Sequence, residues 1–486
     1  MPPHALLALI ALAGCAPGDD GARPCAAGFA RDALDNCVPD APPQPDDAAD
    51  ACAIADGEDG NGGPGGVAGQ DHGSPENRPY DIADFADVET CAACHPQHYD
   101  EWQGSIHAYS ARNPVMWAGS AHIGITTDMP RVCVGCHAPI ATLTGDIDNA
   151  TTVVSDVGQL RSEASRHGVS CVSCHKLYDV VNGVNQFTHC ADWYAGTLPD
   201  PVPTPAHANH TSPIHADALV CRSCHNVEGL NHVQVEFTYS EWEELARNDP
   251  EGNVQTCQGC HMEAYQGPAA VGGPTRTVHR HTFFGGDVAF GPFPDAHRQY
   301  HGVARLLRDA ASLEVEARLD ALDVTVRNTF VGHDLPTGSA FDRQVWIEVV
   351  VTGADGVELV RSGDLDANGD LRDAWSELDP GGDPYVTRGD SVFRSYLFDA
   401  DGEPTFDFIG AAVRVVDRTL ASGEERTVTY GFDAPAVPPL TVEARLLYRA
   451  YPPFLLRDLG IAERDVLSLP IFTIAEWAGQ TTDLAP

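Results

Sequence analysis

From about Leu306 onward the chain alternates between apolar and polar positions. Leu313, Val315, Ala317 and Leu319 alternate with polar neighbours, and Leu322, Val324 and Val326 repeat the pattern. A period of two over two adjacent runs predicts a hairpin with one buried face. Further strands are expected at Val345–Val351, Val357–Val360, Val392–Phe398, Ala412–Val416, Arg426–Phe432 and Leu440–Tyr448, some separated by turns such as Ala354-Asp355-Gly356. Roughly seven or eight short strands over about 170 residues predict an antiparallel β-sandwich of roughly immunoglobulin-like character.

The preceding stretch, from about Asp81 to His301, has short helical patches, many turn residues and few long apolar runs. Ser240 and Glu243 are spaced as a capping box ahead of Leu245, predicting a helix at Ser240–Arg247. Pro96 suits the first turn of a helix carrying Tyr99, Trp102 and Gln103. The fold class expected is therefore α+β and multidomain. A helical, loop-rich domain at residues 81–305 precedes the β-sandwich at 306–486.

Two segments come before these domains. The apolar run Ala5–Ala13 is too short to span a membrane and fits the core of a signal peptide over residues 1–15, although no Lys or Arg precedes it. Its end, Leu12-Ala13-Gly14-Cys15, is similar to a lipobox, which makes Cys15 a lipidation candidate. Residues 16–80 are rich in Asp, Gly, Ala and Pro, cannot bury enough apolar surface to offset ordering entropy, and read as a flexible acidic tether. Cys25 and Cys37 are close enough in sequence for a small disulfide loop, and the spare Cys52 and Cys190 are a second candidate pair; sequence leaves their connectivity open.

So loop-rich a middle domain needs something other than its own side chains to pack against. Of the 15 cysteines, ten fall in five copies of Cys-x-x-Cys-His. These are Cys91, Cys94 and His95; Cys133, Cys136 and His137; Cys171, Cys174 and His175; Cys221, Cys224 and His225; Cys257, Cys260 and His261. They arrive at intervals of roughly 35 to 50 residues. The pattern is that of c-type haem attachment: two thiols bond the vinyl groups and the next histidine ligates the iron. Five copies predict five covalently attached haems c, each a large apolar plate that the surrounding peptide can bury.

The second axial ligand decides what such irons do. The chain has 21 histidines and only four methionines, so methionine cannot serve every iron and bis-histidine ligation is expected. His107, His167, His215, His281 and His333 are the distal candidates. His122, His189, His207, His210, His279, His297 and His301 are reserves, and His98 lies very near its own attachment motif.

Glu89–Ser110, ETCAACHPQHYDEWQGSIHAYS, resembles the opening of the multihaem cytochrome c-554-like family. Thr238–Met262, His281–Gly286 and Asn328–Gly338 (NTFVGHDLPTG) are similar to recurring elements of its larger relatives, so the resemblance covers most of residues 85–345. It implies electron transfer and carries a distal-ligand role over to His107 and His333, while the wider family includes catalytic members with an open iron.

The formal charge of −41 argues against nucleic acid or an anionic membrane surface as a partner. The partners expected are redox proteins, with membrane contact only through a lipid anchor. Covalent haem and spare cysteines suit an exported chain, placed in the periplasm or as an outer-membrane or cell-surface lipoprotein. Asp364, Asp366 and Asn368 match the first half of a calcium loop, but Trp375 stands where the bidentate glutamate belongs, so a hairpin loop is the competing reading. The function expected is an electron carrier passing electrons between exported partners. The alternative is an oxidoreductase with one open haem iron acting on a small nitrogen or sulfur substrate. A surface adhesion or assembly protein, with haems as structural staples, is the weakest reading.

Overall fold

The computed structural model describes residues 29–31, 37–39, 80–127, 132–147, 156–181, 183–188, 192–199, 204–249, 252–329, 331–372, 391–433 and 435–482. The signal-peptide segment, Cys15, Cys52 and Cys190 lie outside the described residues, as does most of the tether. Within the tether a short antiparallel ladder pairs Phe29–Arg31 with Cys37–Pro39, Arg31 opposite Cys37.

The middle of the chain is built from short pieces. Helical turns at Val88–Ala92, Val132–His137, Cys171–His175, Leu219–Arg222 and Cys257–His261 carry or abut the five motifs. A three-residue separation on a helical turn places the two cysteines of a motif on one face. Pro96 opens the helix Pro96–Gln103, with His95 as its N-cap, because a missing N–H costs nothing in the first turn. The expected Ser240–Glu243 capping box does not form. That helix begins two residues earlier, as Thr238–Arg247, and the Ser240 hydroxyl and amide both donate to Asn226 Oδ1. Two-stranded ladders fill the gaps, among them Val227–Glu228 with Gln234–Glu236 and Ala264–Pro268 with Thr275–His279. One pair, Trp193–Gly196 with Ala208–Thr211, is parallel.

The amphipathic helix Ala296–Arg308 leads out of this region, spanning residues 305 and 306 without a break, and buries Gln299, Gly302, Val303 and Leu307. The predicted hairpin follows as Ala311–Ala317 and Ala321–Asn328, with Leu313 opposite Val326 and Val315 opposite Val324. Glu425–Gly431 adds the third strand of this sheet. A second antiparallel sheet runs in the order Glu358–Ser362, Gln344–Thr352, Leu440–Arg449, Phe472–Thr481, with Val392–Phe393 also paired to Gln344–Thr352. Leu322, Val324 and Val326 of the first sheet share one apolar cluster with Val345, Ile347, Val349, Val442, Ala444 and Leu446 of the second. The expected strand at Val392–Phe398 is interrupted at Arg394, whose guanidinium binds the Phe341 carbonyl, so Ser395–Phe398 pairs with Arg414–Asp417 instead.

The two regions are packed together. Ile123, Val132, Val227, Val233 and Val235 form one cluster with Phe341, Leu397, Ile409 and Ala412. Leu230 N–H donates to the Ile409 carbonyl, and Asn231 Nδ2 donates to the carbonyls of Gly410 and Ala412. Among the described residues no helix is long and apolar enough to cross a membrane.

Candidate haem-binding site

All five proximal histidines open onto a single connected cavity of about 4380 Å³. A pocket for one small ligand takes roughly 300–1000 Å³, so the space suits several haem-sized groups. Nine of the ten motif cysteines are free thiols. Neighbouring motifs meet through their sulfurs: Cys91 lies beside Cys171, Cys136 beside Cys224, and Cys221 beside Cys257. The motif at Cys221–His225 therefore adjoins those at Cys133–His137 and Cys257–His261.

The imidazoles are oriented for metal. A ligating histidine needs one neutral nitrogen facing the metal and is held by the hydrogen bond of the other. His95 Nδ1 lies 2.7 Å from the Ala269 carbonyl, His175 Nδ1 2.6 Å from that of Ala195, and His261 Nδ1 2.6 Å from that of Phe284. His225 Nδ1 instead meets a carboxylate, Glu236 Oε1, at 3.2 Å. His137 Nδ1 is buried without a hydrogen-bond partner, while its carbonyl accepts from Ser110 Oγ at 2.7 Å. In four of the proximal rings Nδ1 is thus committed and Nε2 is left for the cavity.

A metal–imidazole bond is about 2 Å and the ring centre lies about 1.1 Å beyond the nitrogen, so two imidazoles across one iron have centres about 6.3 Å apart. Among the distal candidates, His107 stands 6.4 Å from His225, His281 stands 6.2 Å from His175, and His333 stands 6.4 Å from His261 at 14° between ring planes. Burial pushes His107 and His281 down to about 3 and His333 to about 4, which keeps all three neutral. His281 Nδ1 rests on the His279 carbonyl and His333 Nδ1 on that of Asp334. A helix and a loop contribute to holding His333: Glu241, on Thr238–Arg247, accepts from Asp334 N–H at 3.1 Å and from Thr337 Oγ1. Burial pulls His225 down, but the Glu236 hydrogen bond and charge push it up to about 9.

The other two distal candidates are placed differently. His215 lies 5.7 Å from His175, nearly parallel to it, but its Nε2 is 2.9 Å from the Cys174 carbonyl. His167 is buried between Asp87 and Glu89, its nitrogens 3.5 and 3.7 Å from their carboxylates, and edge-on to Trp102. No proximal ring contacts it among the described residues. His207, a reserve in the sequence reading, stands 6.3 Å from His95 at 25°. His98 is equally far from His95, but Tyr265 Oη is 3.3 Å from its Nε2 and its ring sits 4.6 Å from His281. His207 follows the proline-rich run at 199–205, where no spacing marks a ligand. Among the described residues no imidazole is in ring contact with His137.

The Asp364–Asp370 loop spends its carboxylates on protein groups. Asp366 Oδ1 caps the amides of Asn368 and Asp370, Asp364 pairs with Arg372, and Asp370 pairs with Arg457. A cation would have to displace two arginines.

The family model for cytochrome c554 and c-prime matches residues 90–176, which hold the first three attachment motifs. No curated protein matches the chain. Among solved structures, a penta-heme cytochrome c552 from Thermochromatium tepidum is similar, with a TM-score of 0.56 and 21% identity over 82% of this chain and 100% of that one. At that identity the likeness speaks for the fold. Five Cys-x-x-Cys-His turns and the cavity they share mark a multihaem cytochrome c, and its residues 90–176 match the cytochrome c554 and c-prime family.

Proposed function

We propose that the protein transfers electrons through five haems c, four of them ligated by His95 and His207, His175 and His281, His225 and His107, and His261 and His333. The observation that carries this reading is the set of four imidazole pairs with centres 6.2 to 6.4 Å apart. An iron held by two neutral imidazoles cycles between ferric and ferrous states without exchanging a ligand, which suits electron transfer rather than substrate binding. The ten motif cysteines hold the groups, and the committed Nδ1 atoms fix ring orientation. The partners are exported redox proteins, and the acidic chain, at −41, favours partners with a basic docking face. The two sheets sharing one apolar cluster support a β-sandwich whose 331–338 loop delivers His333 to the haem region.

The second reading, an oxidoreductase with one open iron, is favoured by His137 alone, because among the described residues no imidazole contacts it. Cyanide titration of the oxidised protein separates the two. Electron transfer through five closed irons predicts no binding. One cyanide per five haems, with a second bound in His137→Ala where the proximal position is bared as well, establishes an open site at that haem.

A further inference from the structure

Three of the five proximal histidines are held alike, and the other two differ in opposite ways. His95, His175 and His261 place Nδ1 against backbone carbonyls, and His137 Nδ1 has no partner. His225 alone has a carboxylate there, Glu236 Oε1 at 3.2 Å. The arrangement is local and built. The chain leaves the fourth motif as the strand Val227–Glu228, turns, and returns as Gln234–Glu236, with Val227 opposite Glu236. The antiparallel return brings Glu236 back beside the histidine two residues before Val227. Val233 and Val235 are buried in the cluster shared with Phe341 and Ile409, so the strand is anchored on its other face.

We infer that Glu236 is a positioning and tuning residue that makes the haem of Cys221, Cys224 and His225 the lowest-potential station of the array. The inference rests on the reading of His225 as an iron ligand. A carboxylate accepting from Nδ1–H draws the proton toward itself and makes the imidazole a stronger donor. The stronger donor stabilises ferric over ferrous iron, and the negative charge favours the more positive oxidation state in the same direction. A backbone carbonyl does this weakly, and a bare Nδ1 not at all.

Its position gives the difference a consequence. This motif adjoins two others, Cys224 with Cys136 and Cys221 with Cys257. A low-potential haem at that junction is the last to be reduced, so electrons settle on either side of it and cross it only as an activated step.

The test is a spectroelectrochemical titration of the intact pentahaem protein and of Glu236→Gln, which keeps an oxygen at the same place without the charge. One midpoint of five should rise, by about tenfold in the reduction equilibrium or about 59 mV for one electron, with the other four unmoved. His107→Ala marks which haem that is, by turning it high-spin. In the unaltered protein the lowest midpoint should belong to the haem so marked, a measurement that needs no Glu236 variant. Five unchanged midpoints in Glu236→Gln, or a lowest midpoint on another haem, overturns the inference. An unaltered spectrum in His107→Ala instead removes the His225–His107 pairing, and the Glu236→Gln shift then judges Glu236 on its own.

Discussion

Replacing His207 by alanine tests the assignment that sequence spacing did not supply. His207 and His98 are equally distant from His95, at 6.3 Å, and differ in what their nitrogens do. His98 has Tyr265 Oη at its Nε2 and His281 against its ring. His207 Nδ1 makes only a weak contact with the adjacent Ala208 carbonyl at 3.4 Å, and its ring lines the cavity. Removing His207 should therefore free one coordination position on one iron of five, converting a fifth of the low-spin absorbance and resonance intensity to high-spin. The haem itself should stay, since thioethers rather than the axial bond hold it. Folding should suffer little: the ring is half-buried and touches Tyr194 at 4.9 Å, a loss on the order of 1–2 kcal/mol. Quantified electron paramagnetic resonance of the oxidised protein, alongside a pyridine haemochrome count, reads both quantities. His98→Ala should remain wholly low-spin. A high-spin fifth in His98→Ala with none in His207→Ala would refute the argument from nitrogen partners.

Two further perturbations follow from packing and charge. A Cβ built on Gly302 would lie 2.3 Å from Phe284 Cδ1, and the Phe284 carbonyl is the partner of His261 Nδ1; Gly302→Ala should shift the midpoint of the Cys257–His261 haem while the other four stay put, as titration of the variant would show. Asp342 is mostly buried, its Oδ1 3.6 Å from Arg343 Nη1 and without a hydrogen bond, and burial raises its carboxyl to about 7 despite the Arg343 charge. A folded value above the ordinary one means that its proton favours the native state below about 4 and that this contribution is lost as pH rises through about 7. Asp342→Asn should melt higher than the unaltered protein at pH 8, by an amount worth up to about 4 kcal/mol, with the gap closing toward pH 4. Equal melting temperatures across that range would show that the carboxylate is not held at cost.

The sequence disclosed some of this structure and hid the rest for physical reasons. Attachment motifs are contiguous, so the cysteines and proximal histidines can be read without a fold. The hairpin at 311–328 was equally legible, because a sheet with one buried face writes its period directly into the chain. The facing imidazoles are a different matter: His107 lies 6.4 Å from His225, more than a hundred residues away, and His207 6.3 Å from His95. Nothing local marks a histidine for a distant iron. His215 and His167 illustrate the converse, since both precede a motif closely, yet the structure turns one onto the Cys174 carbonyl and sets the other between two carboxylates. The strand Phe472–Thr481 went unseen because its buried alternation lasts only through Phe472 and Ile474, after which the edge is half-exposed. The Ser240–Glu243 box failed for a similar reason, since Asn226, fourteen positions earlier, offered Ser240 a better-placed acceptor.

On the proposed ligation, three of the four distal histidines sit in a segment that anchors a different haem. The stretch that begins at Cys91 ends at His107, which faces His225; the stretch after His261 supplies His281, which faces His175. Each such segment ties two groups together, so removing one distal ligand loosens a link between motifs as well as opening an iron. The chain from Cys91 to His333 is on this reading cross-braced through metal, which accounts for how attachment motifs on helices of four to six residues hold their places. Short helices are marginal alone. On the proposed ligation their ends are fixed by histidines that lie far away along the chain, and the β region, through His333 beside His261, closes the last of them.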